Sequence, residues 1–142
     1  MTPEAERPSV GTPRVPDDVR AARGYLEVAR ADRDKGFDLS ACLTAQKAAE
    51  VALQSWLGGR GMDAAADDLP SLLAGVPGRT PELERAAAAL ERFRVDMVSP
   101  YRSAAGPQPE PTPEAAASCC EAAAAVVAHV EGLFARLEPG EA

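Results

Sequence analysis

The stretch ACLTAQKAAEVALQSWLGGRG, residues 41–61, sets the architecture. With Leu39 just ahead of it, it reads as one helix whose apolar side carries Leu39, Cys42, Leu43, Ala49, Leu53, Trp56 and Leu57. That spacing is what a helix needs to sit inside a bundle. Gln46 stands in the middle of the same side and Glu50 follows one turn later. A long polar residue in such a stripe borders the core, finds a buried partner or lines a cleft, because an unpaired buried amide costs about 1–3 kcal/mol.

Upstream, residues 16–35 have an acidic start, an inward set of Val19, Ala22, Tyr25, Leu26 and Ala29, with Asp32 one turn further, and a closing Gly36. These are the marks of a first helix. About three residues then separate it from the second, over residues 38–57, so the two should pack antiparallel as a hairpin. A short element is expected over 67–75, with Leu69, Leu72 and Leu73 facing in. The next helix opens at TPELE, where Thr80 can cap and Pro81 suits the first helical position. Its row is Leu83, Ala86, Leu90, Phe93 and Met97, with Pro100 as its end, and a proline-rich loop at 104–111 follows. The last helix opens at TPEAA with Thr112 as cap. It carries Ala116, Cys120, Ala123, Val127, Val130, Phe134 and Leu137 in steps of four and three, flanked by Cys119, Val126 and Leu133. No segment has the alternation of a strand. The expected fold is all-α: an antiparallel up-and-down bundle of four long helices plus one short helix over residues 16–138, with tails at 1–15 and 139–142.

Composition narrows the function classes. The 142 residues are 46% apolar but hold only three Phe, two Tyr and one Trp, so small side chains must let the helices approach closely. A net charge of −7 argues against general binding to a phosphate backbone, though a local basic patch could hold a nucleotide or an RNA end. The three cysteines, Cys42, Cys119 and Cys120, are an odd number, and no secretory leader is in view. Reduced thiols and a cytoplasmic location are therefore expected. Adjacent helical cysteines diverge by about 100°, and there is one histidine, His129, so neither a metal site nor a cofactor is expected. The longest apolar runs are short for a membrane span, so no membrane partner is expected.

The order of parts resembles the HEPN family (higher eukaryotes and prokaryotes nucleotide-binding). The likeness runs over about residues 19–137 and rests on ARGYLEVARAD at 22–32, AQKAAEVAL at 45–53, the leucine-rich DDLPSLL at 67–73 and the final TPEAA helix. The resemblance implies an antiparallel helical bundle with functional residues just after the fourth helix. Ribonuclease members of that family carry an arginine, four to six residues, a histidine and often a nearby tyrosine. Here the segment is RVDMVSPYR, residues 94–102. Arg94 and Tyr101 stand in register, but Ser99 takes the histidine's place, and serine cannot shuttle protons near neutral pH unaided. The arginine-tyrosine-proline triplet of another branch is matched only at Pro100.

Three readings follow. The first is a non-catalytic, dimeric module that binds a nucleotide or RNA end, or pairs with a nucleotidyltransferase in a toxin–antitoxin or defence system; the resemblance alone implies that partner. Its ligand residues would be Arg94, Tyr101, Arg102, Gln46 and Glu50, and a homodimer would bring two copies of segment 94–102 near one cleft. The second is a divergent metal-independent endoribonuclease toxin using Arg94, Ser99 and Tyr101. The third is a structural interaction bundle. Each residue also has a plain role open to it: Gln46 and Glu50 as a helix-border pair bonded to a neighbouring helix, Arg92, Arg94 and Arg102 as solvated or ion-paired surface, His129 as a flank residue.

Overall fold

A computed structural model of the chain describes residues 16–62, 68–94 and 110–137 in full, and the backbone of 102–103 and 106–107. Five helices carry it: α1 Asp17–Asp34, α2 Asp38–Gly59, α3 Leu69–Ala74, α4 Pro81–Glu91 and α5 Pro113–Ala135. The class is all-α and the architecture is the expected bundle. One small departure falls in the segment expected to be plain loop, where β1 (Arg102–Ser103) pairs antiparallel with β2 (Gly106–Pro107). The tails at 1–15 and 139–142 lie outside the described residues, as do Met97, Ser99, Pro100 and Tyr101.

Helix directions follow from specific contacts. Cys42 meets Cys119 near the starts of α2 and α5, and Trp56 meets Phe134 near their ends, so these two helices run parallel. They form the central pair. Helix α1 runs against both, since Ser40 Oγ donates to Asp32 Oδ2 (2.6 Å) and Arg23 pairs with Glu131 of α5 (2.5 Å). Helix α4 also opposes α5: His129 Nε2, late in α5, donates to Pro77 O (2.8 Å) just before α4 begins. The central pair is lined by small side chains, among them Ala45, Ala48, Ala49 and Ala52 on α2 and Ala116 and Ala123 on α5. Small residues there permit the close approach that the thin aromatic content requires.

The ends follow the sequence signals. Gly36 takes φ +82 in the three-residue α1–α2 turn, a left-handed geometry that glycine adopts without a Cβ clash. Thr80 and Thr112 each cap through the side-chain oxygen, accepting from Leu83 N and Ala115 N, with proline at the first helical position. Leu69, Leu72 and Leu73 of α3 are buried as expected.

Several expectations are corrected. Tyr25 is 39% exposed, because α1 packs only against α2 and α5 and its buried stripe narrows to Val19, Ala22, Leu26 and Ala29. Leu39 is 41% exposed. It opens α2 at the end away from the start of α4, and α4, at 11 residues, is half the length of α2. Helix α4 stops at Glu91 rather than running on towards Pro100, and its buried row passes through Ala87 instead of Ala86. Helix α5 is long and apolar enough to cross a bilayer by length and composition. Its unbroken apolar runs are nonetheless short, because Glu121, His129 and Glu131 interrupt them. In the fold its apolar stripe is the core seam: Ala116, Cys120, Ala123, Val127, Val130 and Phe134 are all buried.

Candidate functional site

Helix α4 ends on an acid. Glu91 is only 4% exposed, and its carboxylate has two partners. Oε1 accepts the Leu69 N–H at 2.9 Å, one of the amides at the start of α3 that has no partner within its own helix. Oε2 faces Arg94 Nη1 at 3.5 Å. On the other side of the same helix start, Asp68 Oδ1 accepts from Ser71 N at 2.8 Å. The Ser71 backbone amide, helped by its hydroxyl and by the nearby Arg94 charge, holds the Asp68 carboxyl below its ordinary range against the opposing pull of burial. Arg94 is thus a counter-charge to two carboxylates, Glu91, which ties α4 to the start of α3, and Asp68, which caps α3. Breaking it away would leave the buried Glu91 carboxylate with the Leu69 N–H but no counter-charge. Of the two roles open to Arg94 in the sequence, the ion pair is the one observed.

Glu91 did not stand out in the sequence. The signal was present: it continues the i, i+4 row of Leu83 and Ala87, and a row placed through Ala86 passes beside it.

Gln46 is the second feature. Its side chain is 6% exposed on α2, and among the described residues its Nε2 has no hydrogen-bond partner. The expected bond from Gln46 or Glu50 to a neighbouring helix is not formed. Glu50 keeps to its own helix, accepting from Gln54 Nε2 at 3.5 Å with Lys47 Nζ 3.9 Å away, and lies half-buried one turn beyond Gln46. A buried amide N–H₂ with no acceptor costs about 1–3 kcal/mol, which an acceptor brought within reach would recover. Leu39 and Leu43 precede Gln46 along the same edge, exposed and half-buried respectively.

The structure does not join these features into one constellation. Arg94 is brought to Glu91 and Asp68, while Gln46 and Glu50 form a separate edge of α2. Arg102 enters as backbone, opposite Pro107 in the two-residue pairing. Ser99 and Tyr101 lie outside the described residues.

Three further groups complete the inventory. Arg60, just past α2, lies over the Trp56 ring at 4.2 Å and 5.9 Å from the Phe134 centroid, while the two rings meet edge to face at 5.0 Å. Trp56 was legible as an anchor, but the cation over it was not. Cys42 and Cys119 share a hydrogen bond across the central pair; that bond lowers the Cys42 thiol and, with burial, pushes the Cys119 thiol up, while burial pushes Cys120 up, so Cys119 and Cys120 are inert core groups. Among the described residues no group of His, Cys, Asp and Glu has the arrangement of a metal site. His129 is engaged at Pro77 O and is no neighbour of Arg94.

Solved structures share this architecture. A structure from Thermus thermophilus, TT1696, is 30% identical, with 82% of this chain covering 94% of that one at a TM-score of 0.66. A HEPN domain protein from Thermotoga maritima, tm0613, is 24% identical, covering 86% of this chain and all of its own, at 0.67. ST0689, an archaeal HEPN homologue, is 22% identical, with coverage of 83% and 95% and a TM-score of 0.67. No protein of curated function matches. The model of the HEPN domain matches residues 16–133, which is the whole described bundle short of the last turn of α5, and the chain therefore belongs to the HEPN domain family.

Proposed function

We propose that this HEPN domain is a non-catalytic binding module that takes a nucleotide or an RNA end on the α2 edge at Gln46, and that it acts as a dimer alongside a nucleotidyltransferase partner. One observation carries the reading: Gln46 is buried with its amide donor unpartnered, which is a standing cost unless an acceptor arrives. Nucleobase carbonyls and ring nitrogens are acceptors of that kind. Arginines follow α4 in the segment that ends with Arg102, and a guanidinium fork suits phosphate oxygens. The overall charge of −7 keeps long nucleic acid away while leaving a small anionic ligand admissible.

The experiment is a thermal shift of the full chain with ATP, ADP, AMP and a short 5′-phosphorylated RNA. The melting temperature rises with at least one of them, and Gln46→Leu and Arg102→Ala each abolish the rise. No rise across that panel overturns the proposal. The endoribonuclease alternative draws on Arg94, which here is committed to Glu91. It would show itself as RNA cleavage by chelator-treated protein that disappears in Arg94→Ala.

A further inference from the structure

Two of the three cysteines face each other across the central helix pair. Cys42 lies in the second turn of α2 and Cys119 in the second turn of α5. The contact of the Trp56 and Phe134 rings fixes the register of these parallel helices. Counting back from it, 14 residues along α2 reach Cys42 and 15 along α5 reach Cys119. At about 1.5 Å per residue the two sulfurs sit at one level of the bundle. They share a hydrogen bond there, and both are buried. Buried alanines flank them, Ala45 and Ala49 on α2, Ala116 and Ala123 on α5, so the axes run close. A disulfide needs Cα atoms within about 7 Å, a separation that helices packed on small side chains supply. Cys120 is no rival partner: it is turned about 100° from Cys119, towards Arg30 and Arg33 of α1.

We propose that Cys42 and Cys119 are a reversible redox pair, which hydrogen peroxide closes into a disulfide that staples α5 to α2. The Cys42 thiolate attacks one peroxide oxygen: an S–O bond forms, the O–O bond breaks, and hydroxide leaves with the proton that Cys42 released. The Cys119 sulfur then attacks the Cys42 sulfur, the S–O bond breaks, and the departing hydroxide carries off the Cys119 proton as water. The two sulfurs have lost two electrons and the peroxide has become two waters.

Cys42 is the sulfur that attacks first, because the shared hydrogen bond holds its thiol below the ordinary range. Cys119, held high and shielded from solvent, is inert alone and reacts only with an oxidised sulfur already beside it. Both lie near the starts of their helices, where local opening costs less than unfolding the domain and lets peroxide in. All three thiols are free in the structure, which is the resting form of such a pair in a reducing compartment. The link would join residues 77 apart in the chain, and closing so long a loop removes much of the freedom of the unfolded state. None of this depends on what the Gln46 edge binds.

Peptide mapping of the full chain tests it, with no nucleotide present. The protein is treated with hydrogen peroxide, its remaining thiols are alkylated, and it is digested with trypsin without reductant. One product joins residues 36–47 to residues 103–136, and dithiothreitol separates them. The link persists in Cys120→Ala and is lost in Cys42→Ala and in Cys119→Ala, all three with unchanged helical circular dichroism. The oxidised chain melts about 10 °C higher than the reduced one, and reduction reverses the rise. A wild type that ends with Cys42 as a sulfinic acid and no link overturns the proposal. So does a link that survives Cys119→Ala, or one that joins two chains on a non-reducing gel. An oxidised chain that melts lower than the reduced one overturns the staple, since the sulfurs would then have met only by forcing the helices out of their packing.

Discussion

Replacing Gln46 by leucine isolates the feature on which the functional reading rests. The wild-type side chain is 6% exposed and leaves its Nε2 without a hydrogen bond. Burial of such a group costs about 1–3 kcal/mol relative to water, and leucine, one bond shorter but apolar, removes that cost while adding apolar burial. Against this stands the branching of leucine at Cγ, which can disturb packing by up to about 1 kcal/mol. The balance is a stabilisation of about 1–2 kcal/mol, which raises the melting temperature by a few degrees for a domain of this size. Urea unfolding reads it directly, because Trp56 is the only tryptophan and is buried in the core. The variant should show a higher midpoint at unchanged slope. The same protein should lose any nucleotide-dependent shift. A loss of stability of about 1 kcal/mol or more would mean that the amide holds the fold together, and the argument for a waiting donor would fail.

Other perturbations separate the remaining contacts. Glu91→Ala removes the acceptor of the Leu69 amide and the partner of Arg94, and should cost about 2–4 kcal/mol; Glu91→Gln, which keeps an acceptor oxygen, should cost about 1 kcal/mol, both by urea unfolding. Asp68 has a folded-state pKa below its unfolded value, so its contribution is fully present above the unfolded value of about 4 and is lost as pH falls towards the folded one. Asp68→Asn should therefore lower the neutral plateau of a stability–pH curve and flatten its acid limb below about pH 4. Arg60→Gln removes the cation over Trp56 and should lower stability by about 1 kcal/mol while shifting the tryptophan emission spectrum. Gly36→Ala forces a Cβ into a φ of +82 and should cost about 1 kcal/mol, read from the thermal midpoint.

Local rules carried most of the fold. The TPE starts, Gly36, and the leucines of α3 are decided by neighbours in the chain, and each appears where the sequence put it. What local rules could not supply was coverage. Tyr25 and Leu39 have the spacing of core residues, yet α1 has neighbours on one side only and α4 is half as long as α2. Helix α4 itself ends early, on a carboxylate whose partners lie 22 residues back at Leu69 and one turn ahead at Arg94, a pairing that no periodicity encodes. In the candidate site, Gln46 was legible as an oddity within an apolar stripe. Its lack of a partner was not, because that depends on which side chains the neighbouring helices bring near it. Arg94 was legible as a cation but not as the counter-charge of Glu91. Tyr101 and Ser99 lie outside the described residues, and of Arg102 only the backbone is described.

The parallel course of α2 and α5 has a kinetic consequence. Antiparallel neighbours such as α1 and α2, joined by three residues, can close early at little entropic cost, whereas two parallel helices more than fifty residues apart can meet only after the intervening chain has found its place. The docking of α5 is then the closing act of assembly, and until it happens the alanine face of α2 and the sulfur of Cys42 remain in water. A thiol-reactive probe added during refolding would label Cys42 early and be shut out once Cys119 arrives against it. The protein carries its own chemical timer for completion of the core.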